Sequence, residues 1–219
     1  MSQRNLLTAA LLCAVSVPAL AVPIAWTDWQ RSGANTAFGQ ITVGASVIDV
    51  NLSSTSTLNF VQTAGGTNFW IPDVYTLGSA DNAPPDSDIV SLNAGGTVTL
   101  NFSQALNNVY VALNSWNSNI VDFGTAMIVD SNGVGFWGGG TPVVNGTGTG
   151  FTGAGEVHGV VVLPGNFTSL SFTHTDENWH GFTLGVAGLG RDVSVPEPSM
   201  LALVGLGLIG CVRNSRKRT

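Results

Sequence analysis

The densest group of side chains that could do chemistry lies in residues 174–181. Two imidazoles and two carboxylates fall within seven residues there, namely His174, Asp176, Glu177 and His180. Imidazole nitrogens suit zinc or copper, and carboxylate oxygens suit calcium. The two histidines are not at helical spacing, so the pattern implies no preformed pair of nitrogen ligands. We therefore favour a polar turn that hydrogen-bonds its own backbone, and keep Asp176 and Glu177 as candidate metal ligands.

A second acidic group lies earlier, in a predicted long loop over residues 69–88. Asp81, Asp86 and Asp88 offer oxygen ligands there without any histidine, a set that suits calcium. Their spacing does not match the twelve-residue calcium loop, and a solvated loop is the alternative interpretation. Calcium is therefore the one cofactor that this loop suggests.

The sequence carries no recognisable catalytic arrangement such as a nucleophile elbow, a metalloprotease helix or a paired-carboxylate signature. Asp176 and Glu177 are adjacent, so in a strand they would point to opposite faces and could not readily flank one bond. Glu156 and His158 would share a face, where an acid and an imidazole more often form a structural hydrogen bond. We therefore predict that the protein is not an enzyme. A glycan-active hydrolase that uses these residues is the less favoured alternative.

Six tryptophans form the aromatic inventory: Trp26, Trp29, Trp70, Trp116, Trp137 and Trp179. Indole rings stack on the apolar faces of sugars, and Asn, Asp and Gly in loops meet hydroxyl groups with hydrogen bonds. Packing in the core is the alternative, and it is expected to claim at least half of the six. Trp70, Trp137 and Trp179 lie in or beside predicted loops, so we expect them to be exposed and, with Asn178, to bind a ligand.

Period-two alternation of β-branched and aromatic residues recurs along the body, and no window shows a capped helical period. This pattern predicts an all-β fold, an antiparallel β-sandwich of jelly-roll-like type. The candidate strands cover residues 41–50, 57–62, 97–102, 108–114, 126–129, 135–137, 157–163, 169–174 and 181–187.

Turn-forming residues separate these strands. Residues 130–133 (Asp-Ser-Asn-Gly) predict a hairpin, and residues 163–167 and 93–97 predict two further turns. Two long loops are predicted at residues 69–88 and 138–155, and loops of such length are usually functional or mobile.

The charge of the body limits its partners. Residues 22–195 hold two basic and twelve acidic residues, for a formal charge of −10. A surface of this sign repels phosphate backbones, which excludes nucleic acid as a partner.

The N-terminus is typical of a secretory signal peptide. Arg4 precedes an apolar run at residues 6–17, and Pro18 and the small-x-small order Ala19-Leu20-Ala21 follow. We expect signal peptidase to cut after Ala21, which divides the chain into a signal peptide at 1–21 and an extracytoplasmic body at 22–192.

The C-terminus has three parts in order: Pro196-Glu197-Pro198, an apolar stretch at residues 199–212, and a basic cluster of Arg213, Arg216, Lys217 and Arg218. This order resembles the PEP-CTERM domain that marks exosortase substrates in Gram-negative bacteria. As a helix, the apolar stretch would cover only about 20 Å of a hydrocarbon core about 30 Å thick. It therefore suits a transient membrane helix with its basic end in the cytoplasm, and a simple tail anchor is the alternative.

The resemblance implies that the tail, residues 193–219, is cut by an exosortase near the Pro-Glu-Pro motif. We expect a protein that is exported across the inner membrane, held briefly by its tail, and then displayed on the cell surface or released into the extracellular matrix. Because the family accompanies exopolysaccharide production and biofilm matrix, we expect the body to associate with extracellular polysaccharide. The alternative is a structural or adhesive matrix protein without sugar specificity.

Overall fold

A computed structural model describes residues 21–71 and 73–188 of the chain. The apolar helices expected in the signal peptide and in the sorting tail lie outside these residues. Inside them, no helix is long and apolar enough to cross a membrane.

The described residues form an all-β structure, which confirms the predicted class. A single 3-10 turn at Asp73–Thr76 interrupts the strands within this part of the chain. The strands are β1 (Ala25–Trp26), β2 (Asp28–Ser32), β3 (Thr36–Val43), β4 (Ser46–Ser54), β5 (Phe60–Gln62), β6 (Ile89–Leu92), β7 (Gly96–Trp116), β8 (Ile120–Asp122), β9 (Ile128–Gly135), β10 (Gly138–Val144), β11 (Gly150–Gly155), β12 (Val157–His174) and β13 (His180–Val186).

Two long strands, β7 and β12, pair antiparallel along nearly their whole length, from Val157 opposite Trp116 to His174 opposite Gly96. The turn predicted at residues 163–167 is wrong, because β12 runs through it. Gly165 takes a φ of +128° there, and the register shifts on both sides of Phe167. Such irregularities bend a strand without ending it.

Four further strands attach to the free edges of this pair. β4 and β13 pair with the two halves of β7, and β9 and β8 pair with the two ends of β12. β8, β11, β10 and β9 follow one another and return to β12, so these five strands close into a small barrel. A closed barrel with added strands thus stands where a jelly-roll sandwich was expected.

The barrel strands correct two further predictions. Residues 130–133 lie inside β9 instead of forming a turn, and the hairpin closes at residues 136–137. The predicted loop at 138–155 contains β10 and β11, whose many glycines and threonines hide the alternation that marks a strand. The turn predicted at residues 93–97 is confirmed at 93–95, since β7 already begins at Gly96, and the long connection between β5 and β6 is confirmed as well.

The second half of β7 is buried on both faces. Val111 and Leu113 belong to the main core, whereas Tyr110 and Ala112 belong to a second apolar cluster. The long loop between β5 and β6 supplies Tyr75 and other side chains of that second cluster. The loop is therefore a packed layer over the strands and not a free segment.

We predict that Gly150→Ala destabilises the fold by about 1–3 kcal/mol, because a Cβ atom there would overlap the backbone carbonyl of Val121 where β11 pairs with β8. The matched control is Gly146→Ala, whose Cβ would meet nothing within 4 Å. We expect that control to stay within about 0.5 kcal/mol of the parent. Urea unfolding at equilibrium measures both. Equal stability of the two variants would contradict the barrel closure.

Candidate functional site

One end of the structure carries a cleft that we call the rim cleft. Four connections meet there: the segment after β7, the β9–β10 turn, the β11–β12 junction and the β12–β13 loop. They converge because the end of β7 pairs with the starts of both β12 and β13. The cleft has a volume of about 310 Å³, close to the smallest ligand pockets. Its lining consists of Ser115, Asn117, Trp137, Glu156, Glu177, Asn178 and Trp179.

Two tryptophans form the aromatic wall of the rim cleft. Trp137, in the β9–β10 turn, is 55 % exposed, and its ring lies 6.3 Å from that of the partly buried Trp179. Phe136 supports Trp137 edge to face at 4.9 Å, and Phe69 contacts both Phe136 and Trp179 at 5.1 Å. An exposed indole held by other rings presents its face with little freedom to lose on binding.

Two carboxylates face the aromatic wall. Glu156 accepts hydrogen bonds from the Ser115 hydroxyl and from Nδ2 of Asn117, the latter at 2.9 Å. Glu177 accepts a longer bond of 3.3 Å from the backbone N–H of Asn117. Asn117 thus bridges the two acids. Ser115 reaches Glu156 from a left-handed conformation with a φ of +60°, a strained geometry that is common at functional sites.

Burial raises the pKa of Glu177 to about 7. The hydrogen bond from Asn117 works in the opposite direction, and the nearby charge of Glu156 raises the pKa further. Near neutral pH the Glu177 carboxyl therefore exchanges between its protonated and ionised forms.

A pair of buried histidines lies behind Glu177. Nδ1 of His180 is 3.6 Å from Oε2 of Glu177, and Nε2 of His180 is 3.0 Å from Nδ1 of His174. Burial lowers the pKa of His180 to about 3, with His174 adding to the effect, and burial also lowers the pKa of His174. Both imidazoles are consequently neutral at neutral pH and do not compensate the charge of the acids in front of them.

The structure brings together four residues that the sequence singled out, Trp137, Trp179, Asn178 and Glu177. The expected exposure is confirmed for Trp137 and wrong for Trp70, which is 3 % exposed and packs edge to face on Tyr75. Trp70 belongs to the second core cluster because its loop is packed against β7.

The other candidate metal ligands have different surroundings. Asp88 is buried and accepts bonds from the Trp29 backbone N–H at 2.7 Å and from Ser87, so it ties the end of the long loop to β2. Asp81, Asp86 and Asp176 are exposed. Residues 21–71 and 73–188 contain no cluster of three or more His, Cys, Asp or Glu side chains that could hold a metal ion. Calcium binding therefore stays a prediction from composition.

Sequence reasoning missed Ser115 and Asn117, which carry no local signal of their role. It paired Glu156 with His158 on one face, but Glu156 lines the rim cleft while His158 is fully buried with its Nδ1 3.4 Å from the Tyr75 hydroxyl. Burial lowers the pKa of His158 to about 4, despite the charge of Glu156.

A larger cavity of about 520 Å³ lies over strands β2, β3, β4 and β7. Arg31 covers the ring of Phe38 there at 4.0 Å. This cavity has no exposed tryptophan and no carboxylate in its lining. We place the candidate site in the rim cleft because aromatic, amide and carboxylate groups converge there.

Comparison with protein families matches residues 194–218 to the PEP-CTERM protein-sorting motif. The match covers the Pro-Glu-Pro residues and the basic cluster, and confirms the resemblance read from them. Neither the curated proteins nor the solved structures contain a match to this chain. The chain therefore carries a PEP-CTERM sorting motif at its C-terminus, which implies export and membrane-anchored sorting before surface release.

We predict a specific pH dependence for Glu177→Gln. The folded-state pKa of about 7 exceeds the ordinary value of 4.5, so the stability that the protonated carboxyl contributes to the parent is lost as pH rises between these values. The variant should therefore gain about 1–3 kcal/mol relative to the parent between pH 4.5 and 7, then level off. Urea unfolding at several pH values measures this, with Asp176→Asn as the control for charge loss. A constant difference between Glu177→Gln and the parent would contradict the assignment.

Proposed function

We propose that the body of this exported protein binds extracellular polysaccharide in the rim cleft and does not transform it. The observation that carries the proposal is the exposed, supported Trp137 ring beside Trp179, facing two carboxylates across a cleft of ligand size. No other described tryptophan is more than half exposed.

The chemistry of sugars matches this arrangement. A pyranose ring has an apolar C–H face that stacks on an indole and a rim of hydroxyl groups that need hydrogen-bond acceptors and donors. Glu156, Glu177 and the exposed Asn178 supply such groups at the edge of the same cleft. Because Phe136 and Phe69 hold the aromatic wall in place, little conformational entropy is lost on binding.

The sorting motif supports the same proposal at the level of location. A PEP-CTERM tail implies processing by an exosortase and surface release, which brings the body into contact with secreted polysaccharide. We propose the extracellular matrix as the final location. The rival role is an adhesive matrix protein whose contacts depend on its acidic surface and not on a sugar site.

One observation favours a hydrolase as the second candidate. Two carboxylates line one cleft, and the raised pKa of Glu177 near 7 is a property that a general acid needs. The discriminating measurement is release of reducing ends from bound polysaccharide. Turnover that disappears in Glu177→Gln while folding is retained would establish the hydrolase.

We predict that Trp137→Ala weakens binding to the polysaccharide of the producing cells by about tenfold or more, because it removes the exposed stacking surface. The protein purified as the cells secrete it is co-sedimented with that polysaccharide, with and without calcium. Val47→Ala is the matched control, since Val47 is 48 % exposed in a different hairpin.

Three outcomes separate the roles. Saturable binding that Trp137→Ala reduces and Val47→Ala retains supports the proposal. Binding that neither variant changes would assign the contact to another surface. No binding in either condition would leave the adhesive matrix protein as the better account.

For the tail, we predict that replacing Pro196, Glu197 and Pro198 with alanine blocks processing, because the motif at 194–218 supplies the recognition residues. The expected result is an unprocessed protein retained in the membrane fraction, detected by immunoblot. A matched control replaces Arg191, Asp192 and Val193 with alanine, three residues that directly precede the motif. Normal release of the triple variant would show that the exosortase does not read this motif.

A further inference from the structure

The rim cleft contains negative charge without a compensating cation. Its lining has two carboxylates and no basic side chain. Arg31 is the one Lys or Arg between residues 22 and 188, and it lies in the other cavity against Phe38. The histidines behind Glu177 are buried and uncharged near neutral pH. A ligand group in this cleft therefore meets an uncompensated negative potential.

The aromatic wall of the rim cleft also favours a positively charged ligand group. The faces of neutral indole rings have a negative electrostatic potential that attracts cations, and tryptophan does so more strongly than the other aromatic residues. Trp137 is open to solvent and Trp179 is partly open beside it, on the same cleft as the acids. The carboxylates and the tryptophan rings thus both favour a positively charged ligand group. The flat ring surface also suits a sugar.

A buried imidazole lies directly behind Glu177. His180 is fully buried, and its Nδ1 makes no hydrogen bond within the described chain although it lies 3.6 Å from Oε2 of Glu177. With the proton on Nδ1, this group directs its N–H at the carboxylate, while Nε2 accepts from Nδ1 of His174. The Glu177 carboxylate thus has an uncharged imidazole, and not a cation, on its buried side.

We propose that the rim cleft selects amino sugars with a free ammonium group, placing the ammonium between Glu156 and Glu177 and the sugar ring against Trp137. This inference rests on the proposed polysaccharide binding and specifies its substrate class. A bare metal ion fits less well, because no described cluster of three or more His, Cys, Asp or Glu side chains could hold it. A small cation joined to a flat, partly apolar ring uses both walls of the cleft.

The test compares three β-1,4-linked oligosaccharides of equal length whose units carry ammonium, N-acetyl or hydroxyl groups at the second carbon. These are the oligomers of glucosamine, N-acetylglucosamine and glucose. Affinities for the secreted protein are measured by calorimetry at about pH 7, where the amine and the Glu177 carboxyl are each ionised in part and their contact favours both charged forms. We expect the glucosamine oligomer to bind about tenfold more tightly than the other two, as for one well-placed charge contact.

Substitutions in the rim cleft test whether the preference for the glucosamine oligomer arises there. Glu156→Gln and Glu177→Gln should each reduce the preference for glucosamine over glucose several-fold, because glutamine keeps a hydrogen-bonding group at the position but removes the charge. Asp28→Asn removes an equal charge from an exposed site on β2 that does not line the cleft, and it should leave the preference unchanged. A large fall in melting temperature identifies any variant that fails to fold. If Glu156→Gln fails to fold, Glu156→Asp tests the same position with the charge retained and the carboxylate moved.

The outcomes distinguish this inference from the proposed function. Equal binding of all three oligomers, reduced by Trp137→Ala, would overturn the charge preference and leave polysaccharide binding intact. No binding of any oligomer, together with no binding of the native polysaccharide, would overturn both. A preference that survives Glu156→Gln and Glu177→Gln but disappears in added salt would assign it to the acidic surface at large. Polylysine that displaces the glucosamine oligomer completely at equal charge would overturn sugar selection in favour of a basic peptide.

Discussion

The antiparallel pairing of β7 with β12 is the constraint on which the rest of the structure depends. Each strand is much longer than an ordinary strand of five or six residues, so each has room for different neighbours on its two halves. The bulges in β12 let the pair bend without losing its ladder. As a result one continuous pair supports both the closed barrel and the additional strands, and the loops at its end are held in fixed positions.

The rim cleft follows from that arrangement. Asn117 directly succeeds the last residue of β7, Glu156 directly precedes β12, and Glu177 lies shortly before β13. Because the three strand ends are neighbours in the sheet, these polar residues must share one edge. Burial of His174 and His180 keeps both imidazoles uncharged, so the acids in front of them remain without a cationic partner.

Aromatic packing links the cleft to the core. The rings of Phe60, Phe69, Phe136, Trp137 and Trp179 form a connected series from the long loop to the solvent. Only Phe60 and Trp137 among them are exposed, and the others fix their orientation. A ligand that stacks on Trp137 therefore contacts a surface whose position is set by the packing of the loop on β7. Changes in that packing should shift the Trp137 ring in the rim cleft.

The sequence by itself determined the all-β class, the acidic body and the sorting tail, because local residue patterns or composition are sufficient to recognise each of them. Alternation along β4 and the first half of β7, and the Pro-Glu-Pro, apolar and basic order of residues 196–218, need no tertiary contact to be recognised. It also predicted Trp137, Trp179 and Asn178 as ligand-binding residues and Glu177 as a metal ligand, from residue type and loop position.

The tertiary structure alone decided which of these candidates meet. Trp70 is as loop-like in sequence as Trp137, yet the packing of its loop on β7 buries one and the two-residue turn after β9 exposes the other. Glu156 and Glu177 lie far apart in the chain and are joined through Asn117, which no local pattern marks. Closure of the barrel through glycine-rich β10 and β11 was equally hidden, because backbone pairing between distant segments leaves little trace in side-chain alternation.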